Sequence, residues 1–397
     1  MLFVNLNAGI GKHQVALADA MYDVLGKDFI FIEFGRQQGH QYGSFKDDTK
    51  GVDYYSNRPY ILKMYESKES EDRAKELIAT ADAMRVGGEP MELTAERIKA
   101  GKLTFRSSER VFKGPVWKDI ARFPNLYKLY HRYSNPNYRV LCQSAYLPND
   151  LRLLGKEYVD RCYKFAYFTE IPKLDIGEVI ANRQAEPLKI VWCARFIDWK
   201  HPELPVLLAE KLTKSGRRNF VVQMIGADTT PLWKKTKALI ESKSLEQFVN
   251  LTGGLSNTDV LHCMRDSHVF IFTSDKGEGW GAVLNEAMGA GCACVASNEI
   301  GSVPFLLHRK EDGMIFKSCS ADSLFEKVAY LYDNRNVAER MGRNAYETIT
   351  TIWSAQQAAK RLIELSTSIL SGNEITFNEG PCSKAYPCKY EEVANDI

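Results

Sequence analysis

Short apolar runs rich in β-forming residues alternate with longer amphipathic segments in two successive series along this chain of 397 residues. The first series begins with LFVNL and ends with KFAYF, and the second runs from KIVWCAR to CACVAS. Strands that alternate with helix-length segments are typical of βαβ units, whose strands lie parallel in one sheet. The pattern therefore predicts two doubly wound α/β domains, and two such domains imply a cleft between them.

The segment EIPKLDIGEVIANRQAEP lacks clear periodicity and contains two prolines, so we place the domain boundary there. The boundary gives an N-terminal domain over residues 1–180 and a C-terminal domain over residues 181–352. The apolar spacing in WSAQQAAKRLIELSTSIL predicts a helix over residues 353–372, which we expect to pack along the domain junction. Residues 373–397 are expected to form a peripheral polar tail.

Composition excludes several classes of protein. A net charge of +2 argues against a nucleic-acid binder. The nine cysteines lack zinc-type CxxC pairs, and we interpret them as reduced packing residues. No run approaches the length of a membrane span and the chain starts without a basic leader, so we expect a cytoplasmic protein.

The segment KGEGWGAVLNEAMGAGCACVAS follows an apolar strand and opens a helix at about Ala282. Gly279 and Gly281 let the backbone approach a ligand closely, and the N–H groups of a helix start can bind a phosphate or sugar hydroxyls. Glu278 precedes this helix and Glu286 lies in its first turns. One carboxylate for each end of a nucleotide-sugar is chemically sensible, because carboxylates accept hydrogen bonds from hydroxyl groups.

This segment resembles the E-x7-E signature of the family 4 retaining glycosyltransferases, which have the GT-B fold, over the pattern EGxGxxxxEAMxxGxxV. The resemblance implies that Glu278 is a catalytic residue at the donor sugar and that Glu286 binds the ribose. The alternative is two glutamates that are merely solvated or interact with the helix dipole. The resemblance further implies donor contacts in the turn between them, from Gly279, Trp280, Gly281 and Ala282.

The strand KIVWCAR and the following FIDWK resemble the GRxxxxKG element of the same family. Arg195 and Lys200 would then hold the diphosphate and stabilise the charge that develops as the bond breaks. Ala194 and His201 stand where the family has glycines, and a solvated basic loop is the alternative. FVVQMIGAD and FVNLTGGLSNTDV resemble family regions near the donor, which adds Gly226, Asn250 and Leu251.

In the N-terminal half, NAGIGKHQ follows the first strand and Glu33 ends the second, which partly mimics a dinucleotide-binding fingerprint. Gln14 replaces the third glycine of that fingerprint. In GT-B enzymes a glycine loop at this place borders the cleft, although a simple strand-to-helix turn is equally compatible. The histidine that many family members carry after an N-domain strand is missing from LTFRSSERVFKG. The cleft residues predicted in this half are Gly9, Gly11, Lys12, Ser108, Glu109 and Arg110.

Residues 111–133 combine five basic residues and one acidic residue with six aromatic residues. Such a helix suits an anionic membrane face that bears a lipid-linked acceptor, or stacking against an acceptor sugar. An ordinary amphipathic helix packed on the sheet is the alternative.

The resemblance implies a retaining glycosyltransferase that moves a sugar from a UDP- or GDP-sugar to a saccharide or lipid-linked acceptor, as in polysaccharide or glycoconjugate biosynthesis. It implies no cofactor, and we expect no metal because the chain lacks the Asp-x-Asp pair of metal-dependent transferases. An NAD-linked oxidoreductase and a catalytically inactive sugar-binding scaffold are the alternatives.

Overall fold

A computed structural model of the chain describes residues 1–35, 55, 57–88, 91–114, 116–132, 135–183, 185–307 and 311–395. These residues form two compact units, each built on a parallel sheet. Of the described residues, the first unit contains those up to Glu170 and the returning segment Ile352–Cys388, and the second contains those of Ile171–Thr351 and the last ones from Lys389. The predicted pair of Rossmann-like α/β domains is confirmed.

The first unit has a seven-stranded parallel sheet. Its strands are β1 (Phe3–Asn7), β2 (Phe29–Glu33), β3 (Ile61–Lys63), β4 (Ala83–Gly87), β5 (Leu103–Ser108), β6 (Tyr138–Cys142) and β7 (Cys162–Lys164). Its helices before the second unit are α1 (Val15–Leu25), α2 (Lys68–Thr80), α3 (Ala95–Lys99), α4 (Val116–Arg132) and α5 (Leu147–Leu154). The strand order β3-β2-β1-β4-β5-β6-β7 reverses direction between β1 and β4. Ligands of doubly wound sheets bind at such a switch point, outside the carboxyl ends of the strands.

One face of this sheet is apolar and covered by α2. Val4 on β1 and Met84 on β4 pack against Ala74 and Ile78 of that helix. Because side chains alternate along a strand, the residues that directly follow Val4 and Met84 point to the opposite face of the sheet. Two of those residues are polar, and they are described below.

The second unit has a six-stranded parallel sheet. Its strands are β8 (Leu188–Cys193), β9 (Phe220–Ile225), β10 (Val249–Gly253), β11 (Val269–Phe272), β12 (Ala293–Ser297) and β13 (Gly313–Phe316). Its helices are α6 (Ile176–Ala181), α7 (Glu203–Lys214), α8 (Pro231–Ser242), α9 (Asn257–Arg265), α10 (Val283–Gly289), α11 (Val303–Leu306), α12 (Ala321–Asp333) and α13 (Arg335–Glu347). The order β10-β9-β8-β11-β12-β13 places the switch point between β8 and β11.

The C-terminal region differs in part from the prediction. Helix α14 (Ala355–Leu370) begins after the cap Ser354 and packs against α1, so it belongs to the first unit. Part of the segment after it pairs with the edge strand β7. The Cys382 N–H donates to the Lys164 carbonyl at 2.8 Å, the Lys164 N–H donates to the Ser383 carbonyl at 2.8 Å, and Cys382 is 1% exposed. The tail is held by backbone pairing, which its polar composition does not reveal.

The structure describes a last short helix, α15 (Tyr390–Asn395), which packs near β13. Among the described residues, no helix is both long enough and apolar enough to cross a bilayer.

Candidate functional site

Two loops meet at the carboxyl ends of β8 and β11, the neighbouring strands at the switch point of the second sheet. After β8 the chain forms the 3-10 turn Asp198–Lys200, and after β11 it runs through Thr273 and Asp275. The Thr273 hydroxyl donates to the Lys200 carbonyl at 2.6 Å. The Asp275 N–H donates to the Trp199 carbonyl at 3.0 Å. These bonds join the two loops into one wall at the place where the fold favours a ligand.

The side chains of Lys200 and Glu278 form a buried ion pair on this wall. Each residue is 8% exposed. The Ser274 hydroxyl donates to the same carboxylate oxygen, Oε2, at 3.1 Å. The Lys200 Nζ atom also lies 4.2 Å from the ring centroid of Trp199, where a cation is attracted to the indole face. The structure thus brings together two of the residues that the sequence predicts to be catalytic.

Arg195, the third predicted catalytic residue, is exposed. Its guanidinium carbon lies 5.9 Å from the Trp199 ring centroid, so this indole adjoins both cations. Arg195 has no ion pair with any residue that the structure describes. Its fork of donors is therefore available to an incoming anion such as a phosphate.

His201 holds the loop that carries Glu278. Its backbone has a positive φ of 49°, which explains why the resembling family has glycine at this position. The ring nitrogens lie 3.1 Å from Asp275 Oδ2 and 2.9 Å from Glu203 Oε1, and these hydrogen bonds raise the pKa of His201 to about 10. Asp275 in turn accepts from the Gly277 N–H at 2.7 Å.

Sequence reasoning missed four residues of this wall. The sequence marks His201 only as a residue that stands where the family has glycine, and it does not indicate the two carboxylates that contact the ring. Tryptophan next to the predicted lysine was the one signal that could have been used. The missed residues are Trp199, His201, Ser274 and Asp275.

The glycine turn after Glu278 is tightly packed. Gly281 has a φ of +84°, and a Cβ atom there would lie 2.4 Å from Cζ of Phe272. Ala282 forms the cap of α10. Trp280 is fully buried and its indole N–H donates to Asn285 at 3.0 Å. The Trp280 side chain therefore packs inside the unit, and a donor contact of this residue stays a prediction.

The remaining predicted donor residues are divided between the loop edge and the strand body. Gly279 is buried in the turn and Glu286 is half-buried in α10. Gly226 follows β9, where a Cβ atom would lie only 2.1 Å from the Ala194 carbonyl oxygen. The last two predicted residues, Asn250 and Leu251, lie inside β10 before its carboxyl end.

The side chains of this pair differ in their surroundings. Asn250 is exposed on an edge strand, and Leu251 packs against the hydrophobic core. Their contact with the donor stays a prediction.

In the first unit, the predicted loop of Gly9, Gly11 and Lys12 follows β1, as expected. The Gly11 N–H donates to Gln14 Oε1 at 2.8 Å. Inside the same loop, the Ile10 N–H donates to Glu33 Oε1 at 2.8 Å, and Glu33 is 1% exposed. The acid that would bind a ribose in a dinucleotide site is thus engaged in holding the loop.

The other residues predicted in this unit lie at the end of β5. Ser108 is the last residue of that strand, and its hydroxyl donates to the Glu109 carbonyl. The Glu109 carboxylate accepts from the Tyr167 hydroxyl at 2.9 Å. Arg110 pairs at 3.3 Å with Asp150, a carboxylate that is only 3% exposed. Arg110 therefore takes part in this buried pair, and its role in a cleft stays a prediction.

Comparison with known proteins finds one family model that matches most of the second unit. Residues 178–348 match the family model described as glycosyl transferases group 1. An uncharacterized glycosyltransferase of Methanocaldococcus jannaschii is 24% identical over 195 residues, which are 48% of this chain and 48% of that protein. The aligned region thus spans about half the length of this curated relative.

Solved structures resemble both units of the chain. A glycosyltransferase from Rickettsia africae aligns with a TM-score of 0.67 and 17% identity over 94% of this chain and 99% of its own. Anabaena HepE, solved with UDP and glucose, aligns with a TM-score of 0.62 and 13% identity over 93% of this chain and 100% of its own. At such identities the similarity shows the fold. Residues 178–348 thus match the glycosyl transferases group 1 model, and the chain has the fold of the GT-B glycosyltransferase structures.

Proposed function

We propose that this chain is a retaining glycosyltransferase of family 4 type that moves a sugar from a nucleoside-diphosphate sugar to a saccharide or lipid-linked acceptor. The observation that carries the proposal is the buried contact between Lys200 and Glu278 at the switch point of the second sheet. It lies inside the segment that matches the glycosyl transferases group 1 model. We assign the reaction to polysaccharide or glycoconjugate biosynthesis, on the cytoplasmic side of the membrane.

Two cations serve the diphosphate in this proposal. Arg195 is exposed and unpaired among the described residues, so it meets the diphosphate first. Lys200 is buried and already paired, and it supplies a fixed positive charge near the bond that breaks. A preorganised charge in a desolvated site costs no reorganisation when negative charge develops on the leaving group. Loss of Lys200 should therefore lower turnover by roughly 100-fold or more.

Two carboxylates bind the rest of the donor. Glu278 accepts hydrogen bonds from hydroxyls of the transferred sugar, and the turn Gly279–Gly281 lets the backbone approach it closely. Glu286 takes both hydroxyls of the ribose. His201 is a positioning residue in this scheme, because it acts on Glu278 only through Asp275 and the loop.

In the transfer step, the bond between the anomeric carbon and the phosphate oxygen breaks as the acceptor oxygen bonds to the same face of that carbon. The acceptor proton passes to the leaving phosphate, which serves as the base. This scheme needs no histidine in the first unit and retains the anomeric configuration. It requires the leaving group to be held firmly, which is the role of the two cations.

We propose that the reaction needs no metal ion and no cofactor. The cations of the second unit supply the charge that a divalent ion provides in other transferases. No group of three His, Cys, Asp or Glu side chains suited to a metal occurs among the described residues. Turnover that persists in the presence of a chelator would support this part of the proposal, and loss of turnover would contradict it.

A peripheral membrane contact is part of the proposal. Helix α4 exposes three large apolar side chains in its first turns, and Val116, Trp117 and Ile120 are 65%, 67% and 67% exposed. Lys118 lies among them. Residues 115 and 133 of the predicted stretch lie outside the described residues. An apolar and basic helix end of this kind suits an anionic membrane that carries a lipid-linked acceptor.

The NAD-linked alternative has less support. Its ribose-binding acid would be Glu33, whose carboxylate is buried and accepts from the Ile10 N–H. An inactive sugar-binding scaffold differs from the proposal only in turnover, because the fold alone does not establish catalysis.

The test is a titration of the purified chain with UDP, GDP and NAD, followed by thermal unfolding and calorimetry. A ligand that binds only the folded state raises the melting temperature. We expect stabilisation by UDP or GDP and none by NAD, and Glu286→Ala should weaken nucleotide binding roughly 10- to 150-fold. Glu241→Ala, an exposed glutamate on α8, is the matched control. Binding of NAD without binding of either nucleoside diphosphate would reject the proposal.

Turnover separates an enzyme from a scaffold. The same protein is incubated with UDP- and GDP-sugars, and the anomeric configuration of the product is read by NMR. A product with the configuration of the donor supports a retaining transferase. An inverted product contradicts the retaining step, and nucleotide-sugar binding without any product or hydrolysis favours the scaffold.

A further inference from the structure

Arg97 is a buried arginine whose guanidinium nitrogens all donate hydrogen bonds to protein acceptors. The residue is 3% exposed, and its Nη1 atom donates to the carbonyls of Ile78 and Ala81 at 3.0 and 2.7 Å. Nη2 donates to the Leu103 carbonyl at 2.8 Å, and Nε donates to the Thr104 hydroxyl at 3.1 Å. Each nitrogen of the guanidinium has an acceptor. Arg97 therefore has a structural role, since it ties α3 to the adjoining strand and helix ends.

Arg85 in the same unit is nearly as buried, but its two terminal amino groups have no acceptor among the described residues. It is 6% exposed and lies at the centre of β4, one of the two strands at the switch point. Its Nε donates to the Ser107 hydroxyl at 2.7 Å, and its guanidinium carbon lies 5.3 Å from the Phe165 ring centroid. Within the described part of the chain, no carboxylate pairs with Arg85 and neither terminal amino group donates to a protein acceptor.

An unpaired buried cation is unfavourable. Burial lowers the pKa of Arg85 to about 10, so the side chain is still charged at neutral pH. Removing a charge from water is costly unless a counter-charge and hydrogen bonds replace the water. An apolar side chain of similar length would avoid this cost. The charge is thus best explained by an anion that completes the site.

Other polar groups near Arg85 also lack partners among the described residues. Asn5 is the register partner of Arg85 on β1, and its Oδ1 is buried without a hydrogen bond. The Nδ1 of His13 is likewise buried and unpaired, and burial lowers the pKa of this ring to about 4, so the ring is neutral. His13 lies 5.5 Å from Tyr167, which interacts electrostatically with Arg85. The Ser107 hydroxyl accepts from Arg85 and keeps its own proton to donate.

These groups fit one kind of ligand. The two free amino groups of a guanidinium match two oxygens of a carboxylate or phosphate, and the Ser107 hydroxyl can donate to the same group. The unpaired atoms of Asn5 and His13 can accept from hydroxyl groups on neighbouring carbons of that ligand. The carboxylate of Glu109 accepts from the Tyr167 hydroxyl and pairs with Lys113, and it forms no ion pair with Arg85.

We propose that Arg85 anchors an oxyanion of the sugar acceptor, so that the acceptor is an acidic sugar or a phosphorylated polyol. The inference rests on the proposed function, because it names the class of acceptor for that transferase. Arg85 binds and orients the acceptor and takes no part in breaking the donor bond.

The direct test is calorimetry and thermal unfolding of the full chain with three probes at constant ionic strength. Glucuronate represents an acidic sugar, inorganic phosphate represents a phosphorylated polyol, and glucose is the neutral control. We expect glucuronate or phosphate to raise the melting temperature and glucose to have no such effect. The anion that stabilises more strongly identifies the source of the oxyanion.

Arg85→Met removes the charge and keeps the length of the side chain. Losing the charged hydrogen bonds should weaken anion binding roughly 10- to 150-fold. Arg152→Met, at an exposed arginine on α5 of the same unit, should bind the anion as the wild type does. Unchanged anion binding by Arg85→Met would overturn the inference. So would the absence of stabilisation by either anion.

Urea unfolding of the variants tests whether Arg85 has a purely structural role. Without anions, Arg85→Met should unfold at the same urea concentration as the wild type or a higher one, whereas Arg97→Met should unfold at a lower one. A loss in Arg85→Met as large as that in Arg97→Met would show that Arg85 is structural and would overturn the proposal. Arg85→Lys keeps the charge and should restore part of the anion binding.

Two further measurements separate this inference from the proposed function. Lys200→Met tests whether the anions bind at the diphosphate site. If Lys200→Met loses the stabilisation by anions and Arg85→Met keeps it, the inference about Arg85 is wrong, whereas the proposed function is not affected. Nucleotide binding should be the same in Arg85→Met and in the wild type. If the wild type binds neither UDP nor GDP, the proposed function fails, whatever the anions do.

Discussion

The Nζ atom of Lys200 contacts the carboxylate of Glu278 although 78 positions separate the two residues in the sequence. The contact arises because parallel strands β8 and β11 are neighbours, so the loops at their carboxyl ends meet. Each residue is 8% exposed, and solvent cannot neutralise one charge when the other is removed. The proposed reaction centre is therefore also a structural contact.

Breaking this pair should destabilise the fold. Lys200→Met leaves a buried carboxylate with only the Ser274 hydroxyl as a donor, and Glu278→Gln leaves a buried ammonium. We expect each single variant to lose about 3–5 kcal/mol of unfolding free energy. The double variant should lose less than the sum of the two, because it leaves no uncompensated charge. Urea unfolding of the four proteins measures the coupling, and strictly additive losses would contradict it.

The turn at Gly281 should tolerate no side chain. Gly281→Ala adds a Cβ atom 2.4 Å from the Phe272 ring to a backbone with a φ of +84°. Gly216 provides a matched control, because its φ is +86° and nothing lies within 4 Å of a Cβ atom there. Gly216→Ala should cost about 1–2 kcal/mol from the backbone alone. Gly281→Ala should cost about 1–3 kcal/mol more from overpacking, and equal urea midpoints would contradict the crowding.

His201 should make stability depend on pH in the alkaline range. Its hydrogen bonds with Asp275 and Glu203 raise its pKa from 6.5 to about 10, so the protonated ring is favoured in the folded state. Its stabilising contribution is complete below about pH 6.5 and is lost as the pH rises through about 10. We expect the wild type to lose more unfolding free energy than His201→Asn between about pH 7 and about pH 10.5. Asparagine suits this comparison because it tolerates a positive φ and does not titrate.

Urea unfolding is measured for the wild type and for His201→Asn at the same pH values. Lysine and tyrosine side chains titrate alike in both proteins, so the difference between the two unfolding free energies removes their contribution. Equal slopes against pH would show that the ring is neutral at neutral pH. In that case His201 could not position the Glu278 loop through an ionic contact with Asp275.

The sequence predicted those features that depend on local patterns. The alternating apolar runs from KIVWCAR to CACVAS form strands β8 to β12 of the second unit, with helices between them. Helical spacing and short apolar runs carry this information in neighbouring residues. The E-x7-E segment was likewise readable, because its turn and helix are continuous in the chain.

Features that depend on side-chain contacts in the folded chain could not be predicted from the sequence. The residues around Trp280 do not show that its ring is fully buried with the indole N–H donating to Asn285. The run DAMRV does not distinguish Arg85 from other strand residues, and its significance appears only when its two terminal amino groups are found to have no acceptor among the described residues. In both cases tertiary packing, and not local propensity, decides the role of the residue.

Helix α4 carries large apolar side chains that are exposed beside a basic residue. Trp117 and Ile120 are each 67% exposed, although tryptophan and isoleucine are usually buried in a monomer. Lys118 lies between them, with its Nζ atom 5.2 Å from the Trp117 ring centroid. An apolar pair beside a basic residue is suited to the interface of an anionic membrane.

We therefore expect the chain to sediment with vesicles of phosphatidylserine and phosphatidylcholine and to bind vesicles of phosphatidylcholine alone more weakly. Salt should weaken this binding because it screens the charges. Replacing Trp117 and Ile120 together by serine should lower vesicle binding by at least about 10-fold, since two large apolar side chains no longer enter the interface. Tyr330→Ser, which removes an aromatic ring 48% exposed on α12 of the second unit, should bind as the wild type does. If the double variant and the wild type bind alike, α4 is not the membrane contact, and its exposed side chains require another partner.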